Sequence, residues 1–135
     1  MILALLALAG PSVPLEAHGW ELVGSQAAVN PPSGRMRFWL APRSVQPAEA
    51  DRRVYRVAVA VETILVDGTQ ADLQIAGHLI DCAARTWRVD WAAFAFGNKA
   101  VVSYPKADQQ GQPQRPEPTS GMNAVIGRVC GQNEN

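Results

Sequence analysis

The sequence has few of the residues on which most catalytic and metal sites are built. Its 135 residues include two histidines and two cysteines. No Gly-x-Ser-x-Gly elbow or phosphate-binding glycine loop occurs along the chain. Neither His18 nor His78 lies at ligand spacing from a cysteine. We therefore predict no catalytic residue, no metal site and no cofactor, and we interpret the protein as one that is not an enzyme.

Charge of one sign is also lacking. The 12 basic and 12 acidic residues give a formal net charge of zero, and the two signs are interspersed. A nucleic-acid-binding surface needs clustered lysine and arginine, and so does a polybasic membrane anchor. We therefore expect no nucleic-acid partner and no electrostatic attachment to a membrane.

The N-terminus carries an apolar run that is too short to span a membrane. Ile2–Ala9 reads ILALLALA, and a spanning helix needs about 20 apolar residues. A short run of this kind, followed by Gly10-Pro11, is typical of a secretory signal peptide. We predict that residues 1–17 form a signal peptide cleaved after Ala17, with no stable membrane insertion once it is removed. The mature protein is then periplasmic, at the cell surface or secreted, and the alternative is a buried N-terminal helix.

The two cysteines, Cys82 and Cys130, are an even number in a chain expected to be exported. Such cysteines favour a disulfide, and this one would close a loop of about 50 residues, stabilising the fold by about 4 kcal/mol in chain-entropy terms. The alternative is two free thiols in a core, which suits a cytosolic protein better. We predict the Cys82–Cys130 bridge.

Strand patterns occupy most of the chain after the leader. The clearest is Val54–Val66, in which valines alternate with other residues over a long stretch before the hairpin signal Asp67-Gly68. Further strands are predicted over residues 20–28, 36–40, 73–82, 85–96 and 99–104. Two proline-containing polar segments, residues 41–53 and 105–118, are predicted as loops.

The last element changes to the period of a helix. Apolar residues recur at the spacing of one helix face: Met122, Val125, Ile126, Val129 and Cys130. Thr119 or Ser120 can cap the start of this helix, and Gly131 is expected to end it. The fold class that follows is α+β, in one domain over residues 18–135. It consists of an antiparallel sheet of about six strands with one C-terminal helix packed on it, tied by the disulfide.

Aromatic residues concentrate in the strand segments, and most are expected in the core. In the alternating segment that starts at Arg85, Trp87 and Trp91 share a face with Arg85, and Arg88 lies beside them. Tryptophan and arginine together are the composition that protein-binding hot spots favour. We therefore predict Arg85, Trp87, Arg88 and Trp91 as a candidate interface. The alternative is that the tryptophans belong to the core.

Three short motifs give the chain a family resemblance. Gly19–Gly24 (GWELVG), Ile80–Cys82 with Arg85 and Arg88 close behind, and the closing Val129–Cys130 resemble the bacterial surface-adhesin protein E family. The resemblance covers nearly all of the chain after the leader. It implies export and an antiparallel sheet with an attached helix, tied by a bridge between the two cysteines. For some members it also implies attachment to host extracellular-matrix or plasma proteins.

Together these observations predict an exported, non-catalytic binding domain similar to surface-adhesin protein E, over residues 18–135. Its expected partner is an unidentified protein, either extracellular or in the cell envelope. The alternative is a periplasmic structural or accessory protein of the envelope without adhesin activity. The first interpretation predicts surface display, and the second predicts a periplasmic complex that crosslinking recovers.

Overall fold

A computed structural model of the chain describes residues 14–28, 33–48, 53–96, 99–103 and 111–133. Within these ranges the side chains of residues 33, 91–103 and 132–133 are outside the description. Parts of the sequence-based predictions lie outside the described residues: the apolar run within residues 1–13, residues 49–52 of the first predicted loop, residue 104 of the last predicted strand and residues 105–110 of the second predicted loop.

The described residues form one antiparallel sheet and one long helix. In chain order the strands are β1 (Glu21–Ala27), β2 (Ser33–Leu40), β3 (Gln46–Pro47), β4 (Val54–Leu65), β5 (Gln70–Asp81), β6 (Thr86–Phe96) and β7 (Lys99–Ser103), and the helix is α1 (Gly121–Asn133). The order across the sheet is β1-β2-β4-β5-β6-β7, and the short β3 pairs with β4. The predicted α+β class is therefore confirmed.

One predicted loop contains more structure than expected. Within residues 41–53 the chain forms a 3-10 turn at Pro42–Ser44 and then strand β3. Strand β4 begins before its pairing with β2 does, so its first residues have an open edge, and β3 pairs with them there. The Ser44 hydroxyl also accepts a hydrogen bond from the Ala58 amide (2.8 Å), which holds the turn against the sheet.

Helix α1 packs on one face of the sheet and forms the main core with it. The helix-side core is formed by buried residues of both elements: Phe38, Leu40, Val57, Val59, Ile80, Met122, Val125, Ile126 and Val129. Strand alternation places the β2 and β4 members of this set on a single face. The same faces were expected from the valine alternation in β4 and from the helical spacing in α1.

The predicted start of α1 is confirmed, and its predicted end is wrong. The Ser120 hydroxyl accepts a hydrogen bond from the Asn123 amide (3.2 Å), which makes Ser120 the N-cap. The helix continues through Gly131 to Asn133. A glycine ends a helix readily when it adopts a positive φ, and Gly131 is not among the described residues that do so.

Helix α1 is attached to the sheet at two points besides the core. Cys82, directly after β5, is bonded to Cys130 of the helix with a Cα–Cα distance of 5.5 Å, and both cysteines are buried. The predicted disulfide is therefore confirmed. Arg128 donates to both carboxylate oxygens of Glu21 in β1 (2.6 and 3.0 Å). The last turns of the helix are thus tied to strands on both sides of the sheet centre.

Two glycines allow the helix to approach the sheet closely. A Cβ atom at Gly24 of β1 would lie 2.7 Å from the Cβ of Ala124. A Cβ atom at Gly121 would overlap the ring of Phe38. These glycines are required by the short helix-to-sheet distance, since an added methyl group at either position meets atoms that already fill the space.

The opposite face of the sheet also buries apolar residues. It is formed by side chains that alternate with the helix-side core: Trp39, Ala58, Ala60, Leu73, Ile75 and Leu79. Leu15 and Trp20 are buried as well, on either side of a 3-10 turn at Glu16–His18. Among the described residues, no helix is long and apolar enough to cross a membrane.

Candidate functional site

The structure places the four residues of the predicted interface around the β5–β6 turn and along β6. Arg85 is exposed in the turn, where it has a left-handed φ of 54°. Trp87 and Arg88 are half-buried at the start of β6. Trp91 lies further along β6, and its side chain is outside the described residues. The register shifts between these two tryptophans, so the alternation of faces is not continuous from Trp87 to Trp91.

Trp87 packs against the helix-side core. Its ring centroid lies 5.4 Å from that of His78, and its indole nitrogen is buried without a hydrogen-bond partner in the described part of the chain. Its backbone amide and carbonyl exchange hydrogen bonds with those of Gln114 (2.9 Å each). Residues 111–117 therefore return to the sheet beside Trp87. The interface of Arg85, Trp87, Arg88 and Trp91 stays a prediction.

His78 is a core residue of β5. Its side chain is 5% exposed, and Nδ1 donates a hydrogen bond to the carbonyl oxygen of Ala76 (3.1 Å). Burial lowers the pKa of His78 from 6.5 to about 4, against the opposing effect of this hydrogen bond. A general base works best with a pKa near the operating pH and with access to a substrate. The position of His78 provides neither.

Metal binding has no obvious location in the part of the chain that the structure describes. Within it, no group of three or more histidine, cysteine, aspartate or glutamate side chains could hold a metal ion. The two cysteines are bonded to each other and are therefore not ligands. The sheet face opposite α1 offers a site of a different kind.

A cavity of about 500 Å³ opens on that face. It lies between the segment that precedes β1 and side chains of β2 and β4. Its lining consists of Pro14, Leu15, Glu16, Ala17, Arg37, Trp39 and Glu62. Ligand-binding cavities in proteins commonly measure about 300–1,000 Å³ and combine an apolar lining with a few placed polar groups. The volume and the mixed lining of this open cleft agree with that description.

Antiparallel pairing brings the polar residues of the cavity together. Arg37 of β2 and Glu62 of β4 are register partners, so their side chains are direct cross-strand neighbours. Trp39 lies two residues after Arg37 and therefore on the same face. Side chains of two strands that are well separated in the sequence thus meet at one place on the sheet.

Glu62 is the buried centre of this group. It is 3% exposed, and its Oε1 accepts hydrogen bonds from Arg37 Nε and Trp39 Nε1 (2.8 Å each). Its Oε2 accepts from Gln70 Nε2 (2.6 Å). An isolated buried carboxylate costs several kcal/mol in lost hydration. Three donors, one of them cationic, offset that cost and fix the carboxylate in place.

Arg37 retains donor capacity. Its side chain is 41% exposed, and its guanidinium carbon lies 5.8 Å from the centroid of the Trp39 ring. Nε is bonded to Glu62, whereas the two Nη groups donate to none of the described residues. A guanidinium has five N–H donors in a fixed planar arrangement. Four of these five donors, those on the two Nη groups, are thus left without an acceptor among the described residues.

The N-terminal wall of the cavity is held by its own turn. The carbonyl oxygen of Leu15 accepts hydrogen bonds from the amides of His18 (3.0 Å) and Trp20 (3.1 Å). Gly19 has a φ of 88°, a left-handed conformation that favours glycine. The Leu15 side chain is 2% exposed. Residues 14–20 are thus packed on the domain.

Reasoning from the sequence did not find this site. The predicted signal peptide includes residues 14–17, and the strand patterns do not indicate that Arg37 and Glu62 meet. One signal was present: Glu62 follows Ala58 and Ala60 on the same face of β4, where a charge between small apolar residues is unusual. That pattern indicates a buried carboxylate that needs partners.

Comparisons with known proteins add no relative. No protein-family model, curated protein or solved structure matches the chain. The functional interpretation therefore depends on the disulfide, the cavity and the sequence motifs.

Proposed function

We propose that the protein is an exported, non-catalytic binding domain similar to surface-adhesin protein E, in the periplasm or at the cell surface. The observation that carries this proposal is the buried Cys82–Cys130 disulfide, which ties α1 to the end of β5. Disulfides that hold a small domain together are common in oxidising compartments and rare in the cytosol. The binding role is supported by the cavity, where the Nη groups of Arg37 donate to no residue that the structure describes.

The family resemblance supports the same proposal. It implied an antiparallel sheet, an attached helix and a bridge between the two cysteines, and all three are features of this fold. The expected partner is a protein outside the cell or in its envelope. Such a partner requires no cofactor.

Burial of Leu15 bears on where the leader ends. Cleavage after Ala17 would remove all four N-terminal residues of the cavity lining, the buried Leu15 among them. Burying a leucine side chain stabilises a fold by about 2 kcal/mol. We therefore propose that the signal peptide ends before Pro14 rather than after Ala17, so that the mature chain keeps both the buried leucine and the cavity.

Intact-mass analysis of the protein from envelope fractions of its own host tests the proposal. We expect the loss of no more than the first 13 residues, no alkylation before reduction, and two alkylated cysteines after it. An uncleaved chain with two thiols that react without reductant would contradict export.

A second measurement separates the adhesin role from an accessory role in the envelope. Protease treatment of intact cells should degrade a surface-displayed domain, and the purified mature domain should bind within a panel of extracellular-matrix and plasma proteins. Protection from protease, with crosslinking to an envelope protein and no binding in the panel, would replace the adhesin role with the accessory one.

A further inference from the structure

We propose that the cavity bounded by Leu15, Arg37, Trp39 and Glu62 binds a monocarboxylate with an apolar body, and that Arg37 receives the carboxylate. The ligand is either a small organic acid or the C-terminal carboxylate of a peptide chain. This inference rests on the proposed binding function and names the chemistry of its ligand.

Arg37 has the hydrogen-bond donors that a carboxylate needs. A guanidinium binds a carboxylate through two parallel N–H···O bonds, and such bidentate pairs are among the stronger hydrogen bonds in proteins. Glu62 holds Nε at 2.8 Å, which restrains the orientation of the guanidinium group before any ligand arrives. Neither Nη group donates to a described residue, so a carboxylate can bind there without displacing Glu62. Such preorganisation reduces the entropy lost on binding.

Part of the cavity lining is apolar and suits the body of such a ligand. Pro14, Leu15, Ala17 and the Trp39 ring line the cavity together with the polar group. The indole nitrogen of Trp39 is already bonded to Glu62, so the ring offers an apolar surface to a ligand. A carboxylate attached to an aromatic or branched aliphatic body satisfies both parts of this lining.

The charges around the cavity disfavour a ligand with two negative charges. Two carboxylates, Glu62 at its base and Glu16 at its exposed N-terminal wall, line it beside a single guanidinium. These carboxylates repel a ligand with two negative charges more strongly than a ligand with one, because like charges at short range disfavour binding. The cavity therefore selects a single carboxylate over a phosphate monoester or a dicarboxylate.

The test uses the mature, disulfide-bonded chain starting no later than Pro14. Isothermal titration and the indole N–H signals in NMR spectra are recorded with 3-phenylpropanoate, its neutral amide, and phenyl phosphate. A second pair of probes is an acetylated tetrapeptide ending in phenylalanine, with a free or an amidated C-terminus. We expect the free acids to bind at least about tenfold more tightly than the amides, as for one charged hydrogen-bonded contact.

Variants connect the binding to Arg37. In R37K the positive charge beside Glu62 is kept and the planar donor arrangement is lost, so carboxylate affinity should fall several-fold in a folded protein. In R37Q it should fall by about tenfold or more. The matched control is R43Q, because Arg43 is an exposed arginine outside the cavity lining, and its affinity should equal that of the wild type. Circular dichroism spectra of each variant test whether it is folded.

The outcomes are distinct. Binding of the peptide acid without the small acid supports a chain-end ligand, and the reverse supports a small metabolite. Equal binding of acid and amide, no binding of any probe at millimolar concentration, or full affinity in folded R37K and R37Q overturns the inference. Those results would leave the cleavage and disulfide measurements untouched, so failure of the cavity assignment is separable from failure of the proposed export.

Discussion

Acidification should destabilise this domain through His78. In the folded protein burial lowers the pKa of this histidine to about 4, whereas its ordinary value is 6.5. Between these two pH values the unfolded chain binds a proton at position 78 that the folded chain does not. Protonation of His78 therefore costs no stability above about pH 6.5. Below that value it lowers the free energy of unfolding progressively until the pH reaches about 4.

The expected loss follows from that difference. Each pKa unit corresponds to about 1.4 kcal/mol, so the His78 contribution amounts to about 3 kcal/mol between neutral pH and pH 4. A loss of this size is a large fraction of the 5–15 kcal/mol by which small domains are typically stable. The His78 side chain packs beside Trp87, so tryptophan fluorescence reports on unfolding around His78.

Urea unfolding curves of the wild type and of H78M, measured between pH 7.5 and 4, isolate this effect. Methionine fills a similar volume and does not titrate, and all other titrating groups are common to both proteins. The effect of Asp72, whose pKa is raised by burial, on the unfolding free energy therefore cancels in the difference between the two proteins. The difference in unfolding free energy between wild type and H78M should change by about 3 kcal/mol over this range. Parallel curves for the two proteins would refute a buried, neutral His78.

Three further predictions concern the attachments of the helix and the polar group. Replacing both Cys82 and Cys130 by serine should lower the unfolding free energy by about 4 kcal/mol in urea titrations. G121A should cost about 1–3 kcal/mol by thermal unfolding, because its methyl group overlaps the Phe38 ring. E62Q should cost about 1–3 kcal/mol in urea titrations, because the buried acceptor of three hydrogen bonds loses its charge.

The glycine and glutamate predictions each have a matched control. G127A adds a methyl group to the same helix in open space, so it should be neutral or stabilising by up to about 1 kcal/mol. R35Q removes an exposed hydrogen bond to Ser25 and should change stability by less than about 1 kcal/mol. Equal losses in G121A and G127A would exclude close helix packing, and equal losses in E62Q and R35Q would exclude a buried role for Glu62.

Much of the fold was predictable because its periodic signals are strong. The alternation of valines in Val54–Val66 identifies β4, and the spacing of apolar residues after Met122 identifies α1. The presence of two cysteines left a single intramolecular pairing, and the bridge formed as predicted. These signals arise from burial of whole faces, which repeats along the sequence.

The features that were missed depend on non-repeating contacts. Strand β3 is two residues long and forms because the start of β4 offers an open edge. A strand this short leaves no alternating pattern in the sequence of residues 41–53. The register shift at Gly77/His78 interrupts the alternation on which the predicted interface depended. The cavity requires Leu15, Arg37 and Glu62 to meet, and only the strand register brings the last two together.

The disulfide has a mechanical consequence for this domain when its two ends are pulled apart. Cys82 and Cys130 are 48 positions apart, and strands β6 and β7 lie entirely between them. Force transmitted along the backbone passes through the S–S bond and bypasses this segment. At about 3.5 Å per extended residue, the bond withholds roughly 170 Å of contour length. Under tension, strands β1 to β5 therefore bear the extension, and reduction of the bond would release the rest as a separate lengthening step.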